Sequence, residues 1–160
     1  MTLVASPAAF TIIKYFEGCW KLLPDNTLQA YLCPADVWTI GWGHTDGVTS
    51  DLIITQEMAD QLLLEDVADV EAALDQILGT ITVKQCQYDA LTSLCFNLAG
   101  GAATLPAKCP HLWADLQAGN DIAAADEFLD CDHALVGGQW VELQGLKLRR
   151  QAEANLFLSC

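Results

Sequence analysis

Apolar positions near the start of the chain recur at helical spacing. Phe10, Ile12, Ile13 and Phe16 form one stripe, and Ser6 followed by Pro7 supplies an N-cap and a first helical position. This predicts a helix from about Pro7 to Glu17, stopped by Gly18. The period then breaks at Pro24, Asp25 and Asn26, the chemistry of a turn. Two short β-forming runs follow, "LQAYLC" and "VWTIGWG", separated by Pro34, Ala35 and Asp36, and read as a small antiparallel hairpin or meander. Glycine alternating with aromatic residues in "WTIGWGH" marks a strand to which another group comes close. Helical spacing returns at Thr55, a candidate cap, and carries Met58, Leu62, Val67, Val70, Leu74, Ile77 and Leu78 as far as Gly79. Four further helices are predicted, at about 83–98, 110–118, 121–130 and 145–158, punctuated by Gly100, Gly101, Gly119, Gly137 and Gly138.

The sum is an α+β fold in one domain of two lobes. A small β-containing N-terminal lobe (about 1–54) leads through a long connecting helix (about 55–82) into a helical lobe (about 83–160), with a cleft expected between the lobes.

Charge narrows what such a domain can bind. Twenty-one acidic residues against seven basic ones give a formal charge of −14, which argues against nucleic acid or an anionic membrane as partner. No apolar run is long enough to span a bilayer, and "PAAFTIIKYF" lacks the basic start and cleavage site of a signal peptide, so a chain without its own export signal is expected. The seven cysteines (19, 33, 86, 95, 109, 131 and 160) are odd in number and irregular in spacing, and reduced thiols are expected. Cys109 with His111 and Cys131 with His133 hint at a metal, but paired CxxC spacing is absent and neither metal nor cofactor is expected.

Glu17, Cys33 and Thr39 are the candidate chemistry: an acid, a polarisable second group, and a hydroxyl able to hold a water. A negative charge at the C-terminal end of a helix is opposed by the helix dipole and needs a cationic neighbour. Arg149 or Arg150, in the chain's most basic stretch, could supply it if turned inward. His44 reads as a structurally held histidine with Asp66 as its partner.

The blocks "FEG", "AYLCPADVWTIGWGHT", "ITQEMADQLLLEDV", "QYDALTSLCFNLAGGA" and "GLKLRRQAEANLFL" occur in this order and span nearly the whole chain. Together they resemble the phage-type lysozymes, the endolysins of glycoside hydrolase family 24. The resemblance implies the family's two-lobed fold and a muramidase that cuts the β-1,4 bond between N-acetylmuramic acid and N-acetylglucosamine in bacterial peptidoglycan. It matches Glu17 to the general acid, Cys33 to the second catalytic position and Thr39 to the water-positioning threonine. It also matches His44 and Asp66 to a buried ion pair, Arg149 to the arginine against the acid, and Asn97 to a polar substrate-binding residue. It implies a monomer made in the host cytoplasm that reaches the wall through a holin's lesion. Two alternatives from other classes are a catalytically silent wall-binding or structural module and a hydrolase of another N-acetylated glycan such as chitin.

Two departures from the family pattern matter. The interval from Glu17 to Tyr31 is longer than usual, with "LLPDNTLQ" as the insertion, which leaves Asp25 near the family's usual distance for the second acid and makes it the rival of Cys33. The strong acidity would also repel an anionic wall at long range, so binding is expected to rest on close contacts.

Overall fold

A computed structural model describes residues 3–18, 21–33, 35–131, 133–136, 139–142 and 144–160. Cys19, Pro34, Gly137 and Gly138, which figured in the sequence reading, lie outside the described residues. The fold is α+β, with seven α-helices and three two-stranded antiparallel sheets among the described residues. The chain divides into two compact units: Ile13–Asp69, and the remainder up to Ile12 and from Val70.

Helix α1 (Pro7–Glu17) has the predicted bounds. The Ser6 hydroxyl accepts the Ala8 N–H at 3.2 Å, while the Ser6 N–H donates to the buried Asp89 carboxylate at 2.8 Å. Gly18, at φ +66°, ends the helix with its N–H on the Lys14 carbonyl.

In the unit Ile13–Asp69, the expected hairpin is rearranged. "LQAYLC" splits at Ala30 into β1 (Leu28–Gln29) and β2 (Tyr31–Leu32), which pair with different partners. β2 pairs with β3 (Trp38–Thr39), Tyr31 opposite Thr39 and Leu32 opposite Trp38, whereas β1 pairs with the unpredicted β4 (Ile53–Ile54). The strand read into "VWTIGWG" stops at Thr39. Gly41 (φ +61°) and Gly43 (φ +101°) turn the backbone so that Ile40 and His44 exchange both hydrogen bonds, at 2.9 and 3.0 Å. A Cβ at Gly41 would stand 2.9 Å from the Ala59 Cβ, so glycine lets this turn lie on the next helix. Leu28, Ala30, Ile40, Ile54 and Ala59 form the buried core of this unit.

Helix α2 (Gln56–Leu78) starts where Thr55 caps it, the hydroxyl accepting the Met58 N–H at 3.2 Å, and ends at Gly79 (φ +54°). Its N-terminal portion to Asp69 belongs to the first unit and the rest to the second.

The second unit is built on α3 (Gln85–Asn97), in which every residue from Cys86 to Cys95 is buried. A helix enclosed on all sides shows only a weak apolar stripe, so its beginning was read two residues early. α4 (Leu105–Lys108), α5 (Pro110–Ala118), α6 (Asp121–Glu127) and α7 (Gln144–Phe157) complete the helical set. The segment predicted as helix to Asp130 tightens after Glu127 into a 3₁₀ turn, Phe128–Cys131. A hairpin of β5 (His133–Val136) and β6 (Gln139–Glu142) was not predicted, although two β-forming runs flank Gly137 and Gly138 in the sequence.

The expectation of reduced thiols is corrected in this unit. Cys86 is joined to Cys160 and Cys109 to Cys131, across Cα separations of 6.0 and 6.2 Å, within the span a disulfide bridges. Cysteines 74 and 22 residues apart meet only through the fold, and linear spacing carries no trace of it. Cys109 and Cys131 are thereby spent as sulfur ligands. Cys33 and Cys95 are the free cysteines among the described residues.

Candidate active site

An open cavity of about 710 Å³ in the unit Ile13–Asp69 is lined by Glu17, Lys21, Tyr31, Leu32, Cys33, Thr39, Gly43 and Thr45. Local chain geometry explains why the three chemical candidates meet there. Glu17 is the last residue of α1. Tyr31 and Cys33, two residues apart, point to one side of the β2 chain, and Thr39 stands opposite Tyr31, so the pleat alternation puts Cys33 and Thr39 on one face. The turn between β2 and β3 is closed by the Cys33 N–H on the Val37 carbonyl at 3.0 Å and the Asp36 N–H on the Cys33 carbonyl at 2.9 Å. Asp36 adopts φ +58° to make it.

This turn acts on the thiol. The backbone N–H groups of Val37 and Ala35 hold the Cys33 thiol below its ordinary pKa, with a smaller pull from the Thr39 hydroxyl; burial and the Asp36 charge oppose them. Thr39 is buried, and its hydroxyl donates to the Val37 carbonyl at 3.0 Å, which fixes its orientation.

Gly43 explains the glycine-rich segment of the sequence. A Cβ at this position would lie 3.2 Å from Glu17 Oε2, so the missing side chain makes room for the acid, and φ +101° favours glycine independently.

Asp25 is placed elsewhere. Its Oδ1 accepts the Thr27 hydroxyl at 2.6 Å and the Thr27 N–H at 3.0 Å, bonds that hold its carboxyl below the ordinary range. The insertion is a tight exposed turn, with the Leu23 N–H on the Thr27 carbonyl and Asn26 at φ +65°, and Asp25 is not among the residues lining the cavity.

His44 and Asp66 meet as expected, Nδ1 lying 2.9 and 3.0 Å from the two carboxylate oxygens. Nε2 faces the Asp46 carbonyl at 3.0 Å. These contacts tie the turn after Gly43 to α2.

Arg149 and Asn97 belong to the second unit, where both arginines of α7 turn inward. Arg149 donates through Nε to Glu153 Oε1 and through a terminal nitrogen to the Ser93 carbonyl, each at 3.1 Å. Arg150 stands 2.9 Å from Glu153 Oε2 and donates to the Asn97 side-chain oxygen. Ser93 donates its hydroxyl to Glu153 Oε1 at 2.7 Å. Burial pushes the Glu153 carboxyl up, against the opposing charges of Arg150 and Arg149 and the Ser93 hydrogen bond. Sequence reasoning missed Glu153 although its spacing from the arginines, three and four residues along one helix, is an ion-pair signal. It also missed Lys21, which lies in no motif, and Tyr31 and Thr45, which lie within the block "AYLCPADVWTIGWGHT" but were given no role.

An acid, a thiol and a hydroxyl line one cavity of a mixed α+β chain, a set whose chemistry fits glycoside hydrolysis. Comparison with known proteins specifies it further: the phage lysozyme family profile matches residues 14–153, and the chain belongs to this family. It is 38% identical over 154 residues to the endolysin of Acyrthosiphon pisum secondary endosymbiont phage 1, covering 96% of this chain and 97% of that one. Among solved structures it resembles an endolysin from Escherichia coli O157:H7 phage FAHEc1, with a TM-score of 0.84, 30% identity and coverage of 99% and 96%. It also resembles the muramidase domain of SpmX from Asticaccaulis excentricus, with a TM-score of 0.83, 31% identity and coverage of 99% of both chains.

Proposed function

We propose that this protein is an endolysin, a peptidoglycan muramidase that hydrolyses the β-1,4 bond between N-acetylmuramic acid and N-acetylglucosamine and so degrades the bacterial cell wall. The observation that carries this reading is the gathering of Glu17, Cys33 and Thr39 on one cavity, in a chain of the phage lysozyme family. In its protonated form Glu17 donates to the glycosidic oxygen as the bond to C1 breaks. Cys33 and Thr39 hold a water for attack on the opposite face, and the proton that water releases passes to solvent. The family resemblance supports Arg149 as a supporting residue and Asn97 as a polar substrate contact, and His44 with Asp66 supports the turn carrying Gly43. Asp25, bound to Thr27 in its own turn, takes no part.

The two-lobed domain acts as a monomer, is made in the host cytoplasm and reaches the wall after release through the inner membrane with a holin. No helix among the described residues is long and apolar enough to cross a membrane. Product chemistry tests the reading. Digested peptidoglycan should acquire new muramic acid reducing ends, and NMR of the first-formed product should show an inverted anomeric centre. New glucosamine ends would make it a different glycosidase, a retained anomer would make Cys33 a nucleophile, and a wall-binding chain without product would be a binding module.

A further inference from the structure

The chain has seven basic residues, and several are spent within the fold. Lys14 pairs with Asp60 at 2.8 Å, Lys84 with Asp121 at 3.4 Å, and Arg149 and Arg150 surround Glu153. Lys21 differs. Its ammonium reaches only the Ala30 carbonyl oxygen, at 3.5 Å, and no carboxylate lies within ion-pair range of it among the described residues. Yet it lines the cavity that holds Glu17, Cys33 and Thr39. It is not among the groups acting on the Cys33 thiol, which are Val37, Ala35, Thr39 and Asp36.

The backbone adds a second, independent observation. Lys21 sits at φ +63°, a left-handed conformation that glycine or asparagine adopts more readily. Non-glycine residues held there are uncommon and concentrate where the side chain is needed. A cation is thus kept at a position for which backbone preference selects other residues.

We propose that Lys21 is a specificity residue that binds a carboxylate carried by the glycan substrate. The inference rests on the muramidase reading and deepens it. With a net charge of −14 the protein repels an anionic polymer at a distance, so attraction must come from a cation in contact range. Muramoyl residues offer two sources of the same chemistry, the lactyl carboxylate where the stem peptide is absent and the carboxylates of the stem peptide itself. A neutral N-acetylated glycan offers neither, and Lys21 therefore separates wall glycan from chitin.

The test compares kcat and KM of the wild type, Lys21→Asn and Lys21→Arg on three preparations of one glycan. These are the peptide-bearing polymer, the amidase-stripped polymer with free lactyl carboxylates, and the stripped polymer with its carboxyls converted to neutral amides. Asparagine removes the charge and suits the backbone; Lys21→Gln replaces it should that variant fail to fold. The wild type should favour a carboxylate-bearing glycan over the neutral one by about twofold to fivefold in kcat/KM, the effect of one exposed ion pair. Lys21→Asn should lose that preference through KM, and Lys21→Arg should keep it. Preference for the stripped polymer assigns the lactyl group, and preference for the peptide-bearing polymer alone assigns the stem. An equal preference in wild type and Lys21→Asn, or none in the wild type, overturns the proposal while leaving the muramidase reading intact. A folded wild type that cuts none of the three overturns that reading, and this inference with it.

Discussion

Cys33 and Gly43 carry the account at the scale of single residues, and each makes it testable. Backbone N–H groups depress the Cys33 thiol, so its alkylation by iodoacetamide, followed by peptide mapping, should rise with a midpoint below the value of about 8.5 of a free cysteine. A midpoint at or above that value would contradict the role given to the turn. The sign of the linkage is fixed by the same shift: the stability this group contributes is present above the thiol's unfolded pKa and lost as pH falls through its folded one. At Gly43, alanine brings a Cβ to 3.2 Å from Glu17 Oε2 at a backbone angle of +101°. Gly43→Ala should cost about 1–3 kcal/mol of stability and lower lytic activity by about one to two orders of magnitude through displacement of the acid. Full activity in this variant would mean that Glu17 does not need its present position.

Among elements, the turn between β3 and α2 depends on a polar clasp rather than on strand pairing. His44 bridges the Asp66 carboxylate and the Asp46 carbonyl, with both side chains of the pair mostly shielded from water. Asp66→Asn removes the charged acceptor and should lower unfolding free energy by about 1–3 kcal/mol. An unchanged melting temperature would reject the clasp. Elements with strong local signals were legible in the sequence: α1 and α5 have their predicted bounds because Ser6-Pro7, Gly18, Pro110 and Gly119 mark their ends. Strands β1, β2 and β3 were legible only as β-forming composition, and β4 was not read at all. Which of them pair is decided by Ala30, whose N–H goes to the Leu52 carbonyl at 2.9 Å, a contact made across 22 residues of sequence.

For the whole molecule, what remained hidden is what depends on distance in the folded chain. The two disulfides, the burial of Glu153 between two arginines and the presence of Lys21 in the cavity arise from tertiary packing, and no local period announces them. The meeting of Glu17, Cys33 and Thr39 on one cavity was legible for the opposite reason. Glu17 ends a helix marked by Gly18, and Cys33 and Thr39 are fixed to each other by one tight turn, so short-range rules suffice to bring them near. The insertion was ambiguous in sequence because Asp25 sits at a suggestive distance from Glu17, and in the fold its carboxylate accepts two hydrogen bonds from Thr27.

The central claim is that Glu17 and Cys33 carry the reaction and Asp25 does not. Turbidity clearing of purified Gram-negative peptidoglycan by the wild type, Glu17→Gln, Cys33→Ala and Asp25→Asn, each verified as folded, tests it most directly. Clearing should be lost in Glu17→Gln and Cys33→Ala and retained in Asp25→Asn. Loss in Asp25→Asn with Cys33→Ala still active would contradict the account and move the second catalytic group into the inserted turn.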